Sequence, residues 1–330
     1  MKNLLVILSL ISFMGSSLAV TNRQQTYNQN SAQSGKKSTN SVKKSKYRKK
    51  TTKKNYSQVT QVPRVRVAST IPPEKINQAA ISRQPYLYSY SALVVKANTS
   101  EVVVSKNPNV KMPIASITKL MTAMVALDAE PDLDEYVTIS ASDIDTLRNT
   151  RSRLNVGMQL KRRNLLLLAL MSSENRAAYA LGRTAYPGGI KEFIKKMNEK
   201  ARSLGMNHSQ FYDPTGLTNA NQATAEDLAK MVEAAFKYDL IKEYSTTKKA
   251  DVVLGSRYVH RYINSDALVR AGTFPIAVSK TGFINEAGHC LVLYSIVSGQ
   301  PIIMVFLNSA GKGGRLVDAV AVKNYIRKFS

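Results

Sequence analysis

Pro113-Ile-Ala-Ser-Ile-Thr-Lys-Leu-Met-Thr-Ala-Met-Val-Ala-Leu127 is an apolar run with a hydroxyl and an amine near its head. Ser116 and Lys119 stand three residues apart, and a helix over 115–128 puts them on one face, about one turn apart. A serine hydroxyl is a poor nucleophile until a neighbour removes its proton. Lysine does this only as a neutral amine, a state that apolar burial favours. In the first turn, free backbone N–H groups and the helix dipole also favour negative charge at Ser116. The spacing alone is common. Ser34–Lys37, Ser41–Lys44 and Ser245–Lys248 repeat it in polar surroundings, where a helix cap or a solvated stretch accounts for it.

Two later motifs separate Ser116 from its copies. Ser173-Glu174-Asn175 interrupts the apolar helical pattern of 165–182, a local conflict of the kind that marks functional sites. A helix junction capped by Ser172 or Ser173 is the plain alternative. Lys280-Thr281-Gly282 falls between the apolar runs 274–278 and 290–297, where a strand ending in a glycine turn is the plain alternative.

S-x-x-K, S-x-N and K-T-G in this order, 57 and 107 residues apart, form the signature of penicillin-recognising serine acyltransferases. Further stretches resemble the low-molecular-mass D-alanyl-D-alanine peptidases, above all the endopeptidase branch. They are Ser152-Arg-Leu-Asn-Val-Gly157, Leu168–Ala178, Phe211-Tyr-Asp-Pro-Thr-Gly-Leu217 and Lys280–Cys290. The resemblance spans roughly 85–330. It implies that Ser116 attacks the carbonyl of the penultimate D-alanine, with Lys119 as general base. Ser173 then relays a proton to the leaving amine, while Asn175 binds the substrate amide and orients Lys119. Lys280 keeps the pocket positive, and Thr281 contacts the substrate beside Gly282. The backbone N–H groups of Ser116 and Phe283 hold the oxyanion. In family carboxypeptidases an arginine just before the last helix binds the substrate's terminal carboxylate, and Arg315 falls at that place; a capping or surface arginine is the alternative. No metal or cofactor is implied. His208, His260 and His289 lie far apart, and Gly311-Lys-Gly-Gly314 lacks the phosphate-loop pattern and reads as a loop.

The pattern of elements fits an α+β architecture. Strands are expected at 91–96 and 101–105, and a meander at 276–284, 290–297 and 302–308. Helices are expected at 115–128, 165–182, 189–204, 224–237 and 316–329. The resemblance implies the penicillin-recognising DD-peptidase/β-lactamase-like fold, an antiparallel sheet flanked by helices with a helical subdomain inserted at roughly 130–260. Only 48 residues follow Gly282, too few for the extra C-terminal β domain and anchor of many family carboxypeptidases.

Lys and Arg outnumber Asp and Glu by 47 to 22, and the excess is concentrated. Residues 20–73 hold 13 of the basic residues and no acidic one. Such a segment cannot bury enough apolar surface to offset its chain entropy, so 20–84 is expected to be a disordered basic linker. Residues 1–19 read as a cleavable signal peptide: Lys2, the apolar Leu4–Phe13, then Ser17-Leu18-Ala19. The mature protein, 85–330 with its linker, is thus expected in the periplasm or otherwise outside the cytoplasm. There the linker would meet anionic envelope polymers or lipids and not nucleic acid, or would serve as a tether. Cys290 stands alone in an apolar strand, which suggests core packing.

The expected activity is a D-alanyl-D-alanine endopeptidase acting on peptidoglycan stem peptides and acylated by β-lactam antibiotics. A carboxypeptidase trimming stem pentapeptides is the alternative. A β-lactamase is disfavoured because no E-x-x-x-N loop stands between S-x-N and K-T-G. Three intact motifs argue against a non-catalytic envelope-binding protein.

Overall fold

The computed structural model describes residues 84–255, 258–273 and 275–329. All fall within one compact unit, Ile71–Ser330. The expected signal peptide and all but the last residue of the expected linker lie outside the described residues.

Strand β1 (Ser89–Lys96) begins the sheet and β2 (Val102–Lys106) folds back on it. The other three strands come from the far end of the chain: β9 (Ile276–Ile284), β10 (Gly288–Val297) and β11 (Gln300–Ser309). The order is β2-β1-β11-β10-β9, antiparallel throughout, so β9 is a free edge. Both faces of the sheet are covered, which is why the central strands read as continuous apolar runs rather than alternating ones. One face packs on the C-terminal helix through Ala92, Leu291, Met304, Phe306, Ala319 and Val322. The other meets the helical half through Leu93, Val292 and Val305. Cys290 is fully buried there, its thiol pushed up to about 11 by burial.

Between β2 and β9 lie the short β3 (Met112–Pro113) and the 3-10 turn Ala115–Ile117, which runs into α1 (Thr118–Asp128). Residues Thr118–Ala126 are all buried, as expected for a helix apolar on every side at the centre of a domain. The ribbon β4 (Tyr136–Thr138) and β5 (Gln159–Lys161) follows, then α2 (Arg162–Met171), α3 (Asn175–Thr184) and α4 (Gly189–Ser203). Next come β6 (Gln222–Ala223, paired to β3), α5 (Ala225–Ala235) and α6 (Asp239–Thr246). A hairpin of β7 (Lys249–Leu254) and β8 (Tyr258–Ile263) and the short α7 (Ala267–Ala271) lead to β9. The last helix is α8 (Gly311–Phe329). Its buried Asp318 accepts from the N–H groups of Tyr88 and Ser89 and from Ser89 Oγ, pinning the start of β1. Among the described residues no helix is long and apolar enough to cross a membrane.

Two expectations need correction. The single helix over 165–182 is two helices, because Leu168's carbonyl collects the N–H groups of Ser172 and Glu174 and the Ser172 hydroxyl, and Ser173 turns to φ +62. The stretch 311–314 is not a loop but the first turn of α8, so Arg315 lies inside the helix. Glycine is a poor helix former, yet a Cβ at Gly314 would stand 2.4 Å from Ser309 Oγ and 2.9 Å from Tyr88 Cβ. Close packing on the sheet overrides propensity there. The α6 helix and the β7–β8 hairpin were not foreseen.

Candidate active site

Ser116 sits on a strained turn. Ala115 before it has φ +48, a left-handed conformation that costs a side chain about 1–3 kcal/mol and persists only under close constraint. Two glycines supply that constraint. A Cβ at Gly216 would overlap the Ala115 carbonyl oxygen at 1.9 Å. A Cβ at Gly282 would lie 3.0 Å from Ile114 O and 3.2 Å from Ser116 N, so β9 passes directly against the serine turn.

One helical turn on, Lys119 is fully buried. Its Nζ lies 3.0 Å from Ser116 Oγ and donates to Asn175 Oδ1 and to the Thr215 carbonyl, each at 2.7 Å. Asn175 is oriented by its own Nδ2, which donates to Thr150 Oγ1 at 3.0 Å. The Thr215 carbonyl is placed by Asp213, whose carboxylate accepts from the N–H groups of Thr215, Gly216 and Thr218 and from Thr215 Oγ1. Asn221 ties that loop to α1 through Thr118 Oγ1.

Across the cleft, Lys280 is also buried, and its Nζ donates to Ser173 Oγ and to the Thr281 carbonyl, both at 3.0 Å. Thr281 Oγ1 lies 2.7 Å from Ser265 Oγ. Phe283 is half exposed and stacks on His289 at 4.4 Å. A cavity of about 310 Å³ opens beside Asn175 and Thr215, walled in part by Asp143, Asp145, Tyr179 and Tyr212. Three motifs far apart in sequence thus converge on one cleft between β9 and the helical half.

The chain matches the family described as D-alanyl-D-alanine carboxypeptidase over residues 78–311. It belongs to that family. Among curated relatives, a D-alanyl-D-alanine endopeptidase of Pseudomonas aeruginosa is 44% identical over 259 residues, covering 78% of this chain and 82% of that protein. One of Escherichia coli is 42% identical over 253 residues, 76% and 81% of the two chains. The crystal structure of the Streptomyces K15 DD-transpeptidase is similar with a TM-score of 0.69 at 28% identity, over 73% of this chain and 98% of that one. The protein is therefore a serine-type D-alanyl-D-alanine peptidase with the α+β fold of the penicillin-binding peptidases.

Within this family member both buried lysines are displaced from ordinary behaviour. Burial lowers Lys119 to about 8, against the opposing charges of Asp213 and Glu174. Burial also pushes Lys280 well down, helped by the cations Lys119 and Arg315 and opposed by Asp266. Arg315 is half buried in the second turn of α8, its Nε and Nη1 enclosed without a hydrogen-bond partner among the described residues. Sequence reasoning gave no role to Asp213, Thr215, Gly216, Thr150 or Asn221. The signal for the first three was present as Asp-Pro-Thr-Gly, an aspartate placed to fold a turn onto its own backbone.

Proposed function

We propose that the protein is a periplasmic endopeptidase that hydrolyses peptidoglycan cross-links through an acyl-enzyme on Ser116. One observation carries the reading. Lys119 Nζ faces two carbonyl oxygens, which only accept, and one hydroxyl. A neutral amine there donates its two hydrogens to Asn175 and Thr215 and turns its lone pair to the Ser116 O–H. The proton passes to Nζ as Oγ bonds to the carbonyl carbon of the penultimate D-alanine. The N–H groups of Ser116 and Phe283 receive the oxyanion, each donor worth about 3–4 kcal/mol. Ser173, held by Lys280, gives its proton to the leaving amine and is reprotonated from the lysine network. Asn175 meets the substrate amide. Thr281, beside Gly282, meets the substrate backbone. Water then releases the acyl group by the reverse proton path.

The names of the two relatives above 40% identity support the endopeptidase preference. Arg315 favours a second reading, a carboxypeptidase trimming stem pentapeptides, because its enclosed, unpartnered N–H groups suit a terminal carboxylate. β-Lactam antibiotics, which present a strained acyl bond to the same serine, would be trapped as stable adducts. Residues 20–73, rich in Lys and Arg without an acid, would hold the enzyme near anionic envelope polymers or lipids.

Digestion of purified cross-linked muropeptide dimers beside pentapeptide monomers tests this. Cleavage of the dimers with release of monomers is expected. Turnover of pentapeptides alone would give the site to the carboxypeptidase.

A further inference from the structure

Along the free edge of β9, three contacts cross the cleft in succession. Lys280 reaches Ser173, and Gly282 packs against the Ser116 turn. Beyond Phe283, in the turn to β10, Glu286 receives Arg148 from the opposite side. Arg148 Nη2 donates to both Glu286 carboxylate oxygens at 2.9 Å, while its Nε donates to the Leu217 carbonyl at 2.5 Å. One side chain thus joins three segments: 145–150, whose Thr150 holds Asn175; 213–218, whose Thr215 meets Lys119; and the β9–β10 turn.

The loop carrying Arg148 does not depend on Glu286 for its shape. Asp145 already accepts from the N–H groups of Leu147, Arg148 and Thr150 and from Thr150 Oγ1. The pair is also lopsided. Arg148 is 23% exposed and Glu286 41%, so the carboxylate leg is the one that solvent and salt reach. Contacts of that kind are weakly held and easily screened. Large apolar side chains flank it on both sides of the cleft, Leu147 at 63% exposure and Phe283 at 53%, a surface suited to being covered by a bound chain.

At about 3.3 Å per residue, the four steps from Gly282 to Glu286 span no more than about 13 Å. A peptide lying along β9 with its reacting carbonyl at Ser116 meets the pair within about four residues. We propose that Arg148 and Glu286 form a removable bar across the Phe283 end of the cleft, which sets how long a peptide can extend in that direction. A longer or branched peptide must displace Glu286 from Arg148, while a short one fits behind the bar. This rests on the reading of Ser116 as the acylated residue.

The test uses the full mature chain and two substrates identical at the scissile bond, a short acylated tripeptide and a disaccharide-linked stem peptide. Glu286→Gln should lower KM for the long substrate about three- to tenfold and leave its kcat within about twofold. Glu286→Asp, which keeps the charge, should stay near wild type. Raising salt from ~0.05 to ~0.5 M should move the wild-type long-to-short KM ratio toward that of Glu286→Gln, and should not move that of the variant. A ratio unchanged in Glu286→Gln, or a higher KM for the long substrate, overturns the bar. Labelled penicillin separates failure of the bar from failure of the acylation site. Normal Ser116 acylation with an unchanged ratio removes the bar alone, whereas no acylation of the wild type removes the functional reading and the bar with it.

Discussion

The two halves of the cleft contain the same pair of groups, a buried lysine 3.0 Å from a serine hydroxyl, in different company. Lys119, on the helical side, has three polar neighbours and the carboxylates of Asp213 and Glu174 to temper its desolvation. Lys280, on the sheet side, has two such neighbours, with the cation Lys119 acting against its charge, Asp266 supporting it and Arg315 again opposing it. The charge of Lys119 is one of the causes that lower Lys280, so ionisation of the first disfavours ionisation of the second. What differs is where a lone pair can point. Lys119 has carbonyl acceptors for both hydrogens of a neutral amine and a hydroxyl in the remaining direction. In the proposed mechanism the same pair of groups therefore acts as a base on one side and as a proton relay on the other.

The most severe way to break this comparison is to remove one serine at a time. Ser116→Ala should abolish the covalent penicillin adduct seen by mass spectrometry, and Ser173→Ala should only slow its formation, by about 10²-fold. An adduct persisting in Ser116→Ala would exchange the roles of the two halves. Replacing each lysine by arginine comes next, since a guanidinium stays protonated and cannot act as a base. Lys119→Arg should slow acylation about 10³-fold or more, and Lys280→Arg at least about tenfold less than that. Equal losses, in proteins with unchanged thermal unfolding, would mean that the lysines share one duty.

Smaller effects sharpen the picture. Arg315→Ala should raise KM for a pentapeptide with a free carboxylate about 10- to 100-fold, the value of a charge-assisted hydrogen bond at about 1.5–3 kcal/mol. It should not alter KM for a substrate amidated at that end, and a loss shared by both substrates would return Arg315 to a packing role. The pH dependence of acylation is the finest probe. A base must be neutral to act, so the rate should rise with pH and level off above about 8, where Lys119 has lost its proton. Because Glu174 holds that value up, Glu174→Gln should move the rising limb to lower pH. A limb that stays in place would show that another group governs it.

The grouping of the site was legible in the sequence because the motifs place particular residue types at fixed intervals, and Ser116, Lys119, Ser173, Asn175 and Lys280 all meet in one cleft. Backbone direction was less legible. A helix junction at Ser172 or Ser173 was among the readings of 165–182, but the periodicity does not announce the left-handed turn at Ser173 or the closing of the chain on the Leu168 carbonyl. Propensity likewise misplaced the start of α8, because one of the glycines that weaken a free helix, Gly314, is where the chain packs against Ser309 and Tyr88. The Asp213 loop was visible as a string without a reason. Its value lies in a carbonyl, and every residue has one of those.

The pairing of β1 with β11 carries a consequence for the order of events during synthesis. The first strand of the sheet has β2 close at hand, but its other partner, β11, lies more than two hundred residues downstream, and Asp318 fastens it only when the final helix arrives. Lys280 and Gly282 come with that same late segment. Contacts of such separation form slowly, after the loops between them have closed. Until then the turn at Ala115 has Gly216 on one side but lacks Gly282 on the other, and the cleft lacks its second lysine. A chain interrupted before β9 lacks Lys280 and Gly282, so hydrolytic power is expected only once that late segment has docked.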